Sequence, residues 1–313
     1  MSPYSHAMKI FNATLPLPAE LRGAIVALGN FDGFHAGHQA VVAEAVAQAK
    51  AKGAPVIVAT FDPHPVRYFR PGAPPFRLTT LDQRAALFAA AGADAMLVFN
   101  FNTALASVSA EDFITDWLLT RAGASGIVTG EDFTFGKARG GNIAMLPAHG
   151  LSATAVPPVS DAGGVISSSR IREALQIGDC ATANRLLTRP FTVQGVVEHG
   201  AKLGRSIGFP TANVRLGSYL RPLYGIYAVT GHLPDGRVLK GAANIGIRPT
   251  IIPPLELLEP TFFDFDEDLY GQQIEVAFHA FLRPEAKYDS LDELKAAIAK
   301  DCEDARKALS AHA

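Results

Sequence analysis

Two histidines separated by a glycine lie in the part of the sequence where chemistry is most strongly indicated. His35 and His38 belong to GNFDGFHAGH, residues 29–38, with Gly37 between them. At a spacing of three residues the two imidazoles can share one face of a helix, and a glycine leaves room for a ligand. Such donors at a helix N-terminus suit a phosphate whose charge builds during nucleophilic attack.

The same ten residues allow two other interpretations. They can form an ordinary turn with two solvated or core histidines, and HxxH can bind zinc, although no third ligand is evident nearby. The concentration of glycines and polar residues around the histidines favours phosphate chemistry. We therefore expect the turn residues to bind phosphate, and these are Gly29, Asn30, Phe31, Asp32 and Gly37.

The elements around this segment predict an α/β domain. An apolar run over 24–31 precedes the histidines, an alanine-rich stretch with helical spacing covers 36–53, and a second apolar run covers 54–61. A strand–helix–strand unit of this kind implies a parallel sheet, and ligands bind beyond the carboxyl ends of its strands. Further strands are predicted over 94–101, 125–130 and 153–159, and further helices over 81–92, 109–123 and 167–179.

The sequence changes character near Arg189 and Pro190. Short β-type segments separated by Gly, Pro and Asp turns are typical of a small antiparallel barrel or sandwich. A helix is predicted at the end of the chain, where Ser290 and Glu293 have the spacing of a capping box. The predicted domains are an α/β domain over 1–186 and a mainly β domain with a closing helix over 187–313.

Composition restricts the class of protein. The 313 residues are 48% hydrophobic and carry a net charge of −2 without a sustained basic run, which disfavours nucleic acid as the main partner. No apolar run reaches the ~18 residues of a membrane span. The two cysteines are far apart, which fits a reducing compartment. We expect a cytoplasmic protein with no membrane partner, and the oligomeric state stays open.

Three more segments of the first domain carry residues suited to ligand binding. In ISSSRIR, residues 166–172, the serines Ser167, Ser168 and Ser169 can cap a helix and bind phosphate, and Arg172 can neutralise it. In TFDPHP, residues 60–65, the prolines predict a rigid loop after a strand. In TGEDFTFGKARGGN, residues 129–142, phenylalanines and glycines can form a flat pocket for an aromatic ring. Each segment alone is also compatible with a structured surface loop or a capped helix.

The second domain begins with a glycine-rich segment, HGAKLGRSIGFPTANV, residues 199–214. Its glycines allow the backbone to approach phosphates, and the expected phosphate-binding residues here are Gly204, Arg205, Gly208 and Pro210. Thr211 and Asn213 alternate along an extended segment, so their oxygens can face one side and hold Mg²⁺ together with ATP oxygens. A β-hairpin with a polar turn is the alternative.

These motifs together resemble a known family. GNFDGFHAGH and ISSSRIR are similar to the two signatures of the nucleotidyltransferase superfamily. Over nearly the entire chain the sequence resembles the bifunctional bacterial riboflavin kinase/FAD synthetases, through TFDPHP and DFTFGKARGGN in the first half and GRSIGFPTAN, YGIYAV, NIGIRPT and FDFDEDLYG in the second. The resemblance implies a Rossmann-like parallel sheet followed by a six-stranded antiparallel barrel with a terminal helix.

The resemblance also implies two consecutive reactions. ATP phosphorylates riboflavin to FMN in the second domain, and a second ATP then adenylylates FMN in the first domain, giving FAD and pyrophosphate. It implies that His35, His38 and Arg172 stabilise the ATP phosphates and that Thr211 and Asn213 hold Mg·ATP. The flavin-binding residues expected in the first domain are Asp62, His64, Asp132, Phe133, Phe135 and Arg139.

A carboxylate base is expected for the kinase reaction. EPTFFDF corresponds to an E-x-H-x-x-D-F segment of the family, which makes Glu259 the base and places Thr261 where histidine is usual. Glu256 is the alternative base. Other readings stay open at this point: one active domain only, a flavin or nucleotide sensor, or an AMP acceptor other than FMN.

Overall fold

The computed structural model describes residues 8–199, 211–248 and 255–310, and the chain divides into two compact units. The sheet unit comprises the residues up to Pro74 together with Leu81–Ile166. The barrel unit comprises Pro75–Thr80 and the chain from Ser167 onward. The division thus falls at Ile166 and Ser167, twenty residues before the predicted domain boundary at 186, which stays a prediction.

The sheet unit contains six parallel strands in the spatial order β1-β4-β3-β2-β5-β8. They are β1 (Lys9–Asn12), β2 (Ala24–Leu28), β3 (Val56–Asp62), β4 (Ala95–Asn100), β5 (Ala124–Gly130) and β8 (Ser152–Val156), with the two-residue strands β6 (Thr134–Phe135) and β7 (Gly141–Asn142) forming a separate ribbon. The five predicted strands and the parallel arrangement are confirmed. β1 was not predicted, because its four residues lie at the sheet edge and their side chains are mostly exposed.

Helices cover both faces of this sheet. They are α1 (Ala36–Lys52), α2 (Pro65–Phe69), α3 (Leu81–Ala90), α4 (Thr103–Ala106) and α5 (Ala110–Asp112). The helix predicted over 109–123 starts at its Ser109 cap, but beyond α5 it continues over Phe113–Arg121 with the wider turns of a π-helix. Adjacent strand residues face two different cores, because Ile57 belongs to one apolar cluster and Val58 to the other.

The strand order defines where a ligand should bind. From β2 the chain proceeds through β3 and β4 in one direction, whereas β5 and β8 lie on the other side of β2. The carboxyl ends of β2 and β5 therefore flank the point at which the order reverses, and such points form ligand-binding crevices in α/β sheets. The GNFDGFHAGH segment begins at that end of β2.

The barrel unit contains a closed antiparallel barrel with strand order β11-β12-β15-β14-β13-β16. The strands are β11 (Phe191–Glu198), β12 (Asn213–Arg215), β13 (Gly225–His232), β14 (Val238–Arg248), β15 (Leu255–Phe262) and β16 (Gln273–Arg283); a small hairpin, β9 (Ser160–Asp161) with β10 (Gly164–Val165), precedes them in the sheet unit. Fully buried side chains such as Val214, Ile245 and Leu258 fill the barrel. The six-stranded barrel is confirmed.

Three helices complete the barrel unit: α6 (Ser168–Gln176), α7 (Cys180–Leu187) and α8 (Leu291–Ser310). α7, which was not predicted, is fixed to the barrel by Asn184, whose Nδ2 donates to the Phe278 carbonyl at 2.8 Å. α8 packs Ala305 and Leu309 on the barrel. No helix in the described part of the chain is both long and apolar enough to cross a membrane.

Candidate active site

The GNFDGFH turn after β2 has an unusual backbone that α3 supports. Phe31 and Phe34 have φ angles of 51° and 44°, the left-handed region that non-glycine residues rarely adopt. Both rings are buried and pack edge-on against Phe88 of α3, with centroid distances of 5.7 and 5.1 Å. A strained backbone persists only where its surroundings enforce it, and such sites are often functional.

The two histidines meet at the start of α1. His35 is the N-cap residue, and its Nδ1 accepts a hydrogen bond from the backbone N–H of His38 at 3.4 Å. A neutral ring that accepts at Nδ1 carries its hydrogen on Nε2, where it can donate to an anion. The two imidazoles are stacked, with centroids 3.6 Å apart. The structure thus brings both predicted residues to one helix N-terminus.

Gly37 leaves little space for a larger side chain. A Cβ atom there would lie 3.2 Å from His35 Cε1 and 3.6 Å from the carbonyl oxygen of Ile166. The contact also shows that the first residue of ISSSRIR passes directly beside the histidine turn. A side chain at position 37 would therefore require the His35 ring to shift by a few tenths of an ångström.

A buried arginine that the sequence analysis missed supports this turn. The Arg84 side chain, on α3, is only 3% exposed, and its Nη1 donates to the carbonyl oxygen of Asn30 at 3.0 Å and to Thr60 Oγ1 at 2.8 Å. Its Nη2 lies 3.8 Å from Asp62 Oδ1. The available signal was its spacing: Arg84 precedes Phe88 by four residues, so both lie on the same face of α3.

Two buried polar atoms flank the crevice between β2 and β5. Among the described residues, Asn30 Oδ1 and Thr129 Oγ1 are buried without a hydrogen-bond partner. Asn30 is two residues beyond the end of β2, and Thr129 is the next-to-last residue of β5. Buried polar atoms are nearly always paired, so two such atoms at a strand-order reversal indicate that a polar ligand or water completes the site.

The TFDPHP loop lies at the end of β3 beside aromatic side chains. Asp62 is the last residue of β3, and His64 caps α2 by accepting from the Val66 N–H at 3.2 Å. Phe61 and Phe133 stack with a centroid distance of 6.4 Å. These positions place Asp62, His64 and Phe133 on one edge of the sheet unit.

The remaining predicted flavin residues of this unit occupy different environments. Asp132 and Arg139 are exposed, and Arg139 has a φ angle of 58° in the left-handed region. Phe135 belongs instead to the apolar core, where it is 6% exposed and contacts Phe113 at a centroid distance of 5.3 Å. Phe135 thus packs the loop against the apolar core.

The ISSSRIR segment forms the expected cap. Ser167 is the N-cap of α6 and accepts from the Arg170 N–H at 3.3 Å, while Ser168 and Ser169 are the first helical residues. Arg172 Nε donates to the Phe76 carbonyl at 2.9 Å. These residues belong to the barrel unit and the histidines to the sheet unit, so their joint action on one ATP molecule stays a prediction.

In the barrel, three polar residues line up across neighbouring strands. Asn244 on β14 is directly opposite Glu259 on β15. On the other edge of β15, Val214 of β12 is opposite Leu258, so the preceding residue Asn213 is opposite Glu259. Directly opposed residues in an antiparallel sheet point to the same face. Val214, Leu258 and Ile245, which are adjacent to this row on the same strands, point into the barrel, so the row Asn213–Glu259–Asn244 lies on the outer face. Asn213 and Glu259 are nevertheless more than 90% buried there.

Thr211 is brought close to this row. The backbone N–H of Ala212 donates to the Pro260 carbonyl at 2.9 Å, which holds the Thr211–Asn213 segment beside Glu259. Thr211 also lines a cavity of about 460 Å³ whose other walls include Phe265 and Tyr270. The structure thus brings together both predicted Mg²⁺ ligands and the predicted base. The predicted residues Gly204, Arg205, Gly208 and Pro210 lie outside the described residues.

Glu256, the alternative base, is held in an ion pair. Its carboxylate accepts from Arg221 Nε at 2.7 Å and from the Tyr224 hydroxyl at 2.5 Å. The hydrogen bond from Arg221 lowers the pKa of Glu256, and burial with the Glu256 hydrogen bond raises the pKa of Tyr224 to about 12. A carboxylate stabilised in this way is a weak base.

Comparisons with known proteins identify the family of the chain. Two family models match the chain, FAD synthetase over residues 17–170 and riboflavin kinase over residues 187–309. A bifunctional riboflavin kinase/FMN adenylyltransferase of Escherichia coli (strain K12) is 38% identical over 287 residues, which cover 90% of this chain and 92% of that protein. The chain belongs to the bifunctional riboflavin kinase/FMN adenylyltransferase family.

Other relatives extend the match to nearly the full length. The bifunctional riboflavin kinase/FMN adenylyltransferase of Bacillus subtilis (strain 168) is 37% identical over 95% of this chain and 97% of its own. A solved structure described as a macrolide-efflux protein from Streptococcus pneumoniae is 30% identical, with a TM-score of 0.83 over 94% of this chain and 97% of that one. As a family member, the chain combines an FAD synthetase domain with a riboflavin kinase domain, and both use ATP.

Proposed function

We propose that the histidine turn of the sheet unit transfers AMP from ATP to FMN and that the outer face of the barrel phosphorylates riboflavin. The observation that carries the first assignment is the stacked pair His35 and His38 at the N-terminus of α1, beside the strand-order reversal. The second assignment rests on the row Asn213–Glu259–Asn244 with Thr211 beside it.

In adenylyl transfer, the FMN phosphate is the nucleophile that attacks the α-phosphorus of ATP, and pyrophosphate leaves. FMN phosphate is already anionic, so the protein needs no strong base. The ring N–H groups of His35 and His38 and the N-terminus of α1 stabilise the negative charge that develops on the α-phosphate oxygens. The resemblance to the family supports Ser168 and Arg172 as further phosphate-binding residues, and Gly37 allows the phosphate to approach the backbone.

We assign the flavin of this reaction to the edge that carries Asp62, His64 and Phe133. The half-buried Phe133 ring stacks with the buried Phe61 ring. Its exposed part offers an aromatic surface to an isoalloxazine ring. Asp132 and Arg139 are exposed at the same loop and are able to contact its polar groups. Phe135 is not assigned to flavin contact, because it is packed into the apolar core.

In the kinase reaction, Glu259 takes or orients the proton of the riboflavin 5′-hydroxyl, whose oxygen then attacks the γ-phosphorus of ATP, and ADP leaves. Glu259 is preferred to Glu256, because Arg221 and Tyr224 already occupy the Glu256 carboxylate. Thr261, two residues from Glu259 on the same strand, supplies a hydroxyl where the family pattern has an imidazole.

The residues beside Glu259 fit a magnesium ion. Mg²⁺ prefers oxygen ligands and usually takes only one or two from the protein, with phosphate and water supplying the rest. Thr211 and Asn213 offer a hydroxyl and an amide oxygen on one segment. Within the described residues, no group of three or more His, Cys, Asp and Glu side chains is arranged to hold a metal ion. When bound, the metal would neutralise charge on the ATP phosphates.

We further propose that the functional boundary lies at residues 186 and 187, as the sequence indicates. The FAD synthetase model ends at residue 170 and the riboflavin kinase model begins at residue 187, which supports this position. On this view α6 belongs to the FAD synthetase domain, although it packs within the barrel unit. A cytoplasmic location is proposed from the two free cysteines, Cys180 and Cys302.

One incubation tests the proposal. Purified protein is mixed with riboflavin, ATP and Mg²⁺, and the flavins are separated by chromatography. Formation of both FMN and FAD is expected. If FAD forms only when FMN is supplied, the kinase assignment fails and the replacement of histidine by Thr261 is the first feature to examine. Failure to convert supplied FMN, with turnover of another phosphorylated acceptor, would overturn the assignment of the sheet unit.

A further inference from the structure

α3 contacts the strained turn through two residues one helical turn apart. Phe88 packs against the buried rings of Phe31 and Phe34, and Arg84 donates to the backbone carbonyl of Asn30. The turn therefore receives an apolar contact and a charged hydrogen bond from the same helix face. Both contacts act just upstream of His35 in the chain.

The hydrogen bonds around Arg84 link the ends of two neighbouring strands. Thr60 Oγ1 donates to the Asn30 carbonyl at 2.8 Å and accepts from Arg84 Nη1 at 2.8 Å. Arg84 Nη1 also donates to that carbonyl at 3.0 Å, so the oxygen accepts two bonds. Asn30 belongs to the histidine turn after β2, whereas Thr60 and Asp62 lie at the end of β3. One guanidinium thus fixes the separation of the two loops.

We propose that Arg84 is a positioning residue for adenylyl transfer, which holds the Asn30 carbonyl and the Asp62 carboxylate so that the histidine turn and the DPHP loop keep one spacing. The proposal rests on the function proposed for His35 and His38. The planar guanidinium is suited to this task because its N–H groups point in fixed directions. A neutral side chain of similar length fills the space but makes none of these bonds.

The chemistry explains why the spacing matters. The α-phosphate is held by the histidine turn, and the incoming FMN phosphate approaches from the edge that carries Asp62. Reacting groups must stay close to the attack geometry, and a shift of about 1 Å costs roughly a hundredfold in rate. Binding of ATP to the turn depends less on the distance between the two loops. Loss of Arg84 should therefore lower kcat more than it raises the KM for ATP.

The test compares three variants in steady-state FMN adenylylation by the full chain. For Arg84→Met we expect kcat to fall by about a hundredfold, with the ATP KM changed by less than about threefold. Arg84→Lys keeps the charge and one donor and should restore kcat to within about tenfold of wild type. Arg22→Met is the matched control. Arg22 is exposed at the opposite end of β2 and donates to the Thr120 carbonyl, so its loss should leave adenylylation unchanged.

Riboflavin kinase activity of the same molecules reports whether the barrel unit is folded, and fluorescence of Trp117, which lies in the sheet unit with Arg84, reports whether that unit is folded; both should be unchanged. A positioning role predicts unchanged kinase activity and a kcat order of wild type, Arg84→Lys, Arg84→Met. The proposal is overturned if Arg84→Met keeps wild-type kcat, or if Arg84→Lys is as inactive as Arg84→Met. It is also overturned if the ATP KM rises as much as kcat falls. If the wild-type chain makes no FAD from FMN, the proposed function itself has failed, which is a separate outcome.

Discussion

The two sites of this chain are built in opposite ways. In the sheet unit, the predicted phosphate-binding residues Asn30 to His38 come from one continuous turn at the end of a strand. In the barrel unit, Asn213, Glu259 and Asn244 come from three separate strands and meet only because those strands are neighbours. A turn can be recognised in a sequence from its residues, whereas a row across a barrel depends on register.

The difference follows from what each reaction needs. Adenylyl transfer uses an anionic nucleophile and needs only donors for the developing charge, the role proposed for His35 and His38 at a helix N-terminus. Riboflavin kinase must activate a neutral hydroxyl, which requires a carboxylate. The Glu259 carboxylate lies mid-strand and buried, between Asn213 and Asn244 of the neighbouring strands.

The largest effect should come from removing the proposed kinase base. Glu259→Gln is expected to lower FMN formation from riboflavin by at least about a hundredfold, the usual size of a general-base contribution. Conversion of supplied FMN to FAD should be unchanged. The measurement is flavin chromatography with riboflavin or FMN as the starting flavin.

Glu256→Gln is the matched control for this variant. It makes the same chemical change three residues away, at a carboxylate engaged by Arg221 and Tyr224. Kinase activity should stay within about tenfold of wild type, since only a supporting contact is lost. If Glu256→Gln is the inactive variant and Glu259→Gln the active one, the base has been assigned to the wrong glutamate.

A substitution in the histidine turn is expected to affect FAD formation and not FMN formation. His38→Ala should lower FAD formation from FMN by about a hundredfold to a thousandfold, the range for losing one transition-state donor, and leave FMN formation intact. His149→Ala removes a histidine of the same unit that pairs with Glu111 at 3.0 Å and should have no such effect. Undiminished FAD formation by His38→Ala would contradict the site.

A smaller effect tests whether the two units are stabilised separately. Asp301 of α8 accepts two hydrogen bonds from Arg283 of β16, at 2.7 and 2.6 Å, and its side chain is 8% exposed. Asp301→Ala should lower the unfolding free energy of the barrel unit by about 2 kcal/mol. Calorimetry measures this loss, while fluorescence of Trp117, the only tryptophan, should report an unchanged sheet unit.

Asp304→Ala is the control on the same helix. Asp304 pairs with Lys300 at 3.0 Å on the surface, where water screens the charges, so its loss should lower stability far less than the loss of Asp301. An equal loss of stability in the two variants would show that burial of the Arg283–Asp301 pair has no special role.

The smallest expected effect is a pH dependence confined to the barrel. Burial raises the pKa of Glu275 on β16 to about 7, so between about pH 4 and pH 7 the folded state holds a proton that the unfolded state has lost. Stability from this group is therefore complete at low pH and declines as the pH rises to about 7. His232 on β13 and Gln194 on β11 are the residues opposite Glu275.

Glu275→Gln should remove this decline. Relative to wild type, the variant should gain roughly 1 kcal/mol or more in unfolding free energy between about pH 5 and pH 8, measured by calorimetry. Burial lowers the pKa of His232, which acts in the opposite direction, so only the difference between variant and wild type isolates Glu275. A difference that does not change with pH would contradict a raised Glu275 pKa.

The sequence predicted local features well and distant contacts poorly. The histidine turn, the Ser167 cap and the central strands were recognised because each depends on neighbouring residues. Arg84 was missed because an arginine in a helix is usually exposed, and its burial depends on a turn about fifty residues away. The place of Asn244 beside Glu259 was missed because register between β14 and β15 is a property of the folded barrel.

The central claim is that this chain carries two separable sites, and one complementation experiment tests it most directly. His38→Ala and Glu259→Gln are mixed in one tube with riboflavin, ATP and Mg²⁺, and FAD is measured by chromatography. Neither variant alone should make appreciable FAD from riboflavin, whereas the mixture should, because FMN released by the first is the substrate of the second. Absence of FAD from the mixture, although the second variant converts added FMN, would contradict two sites that work independently.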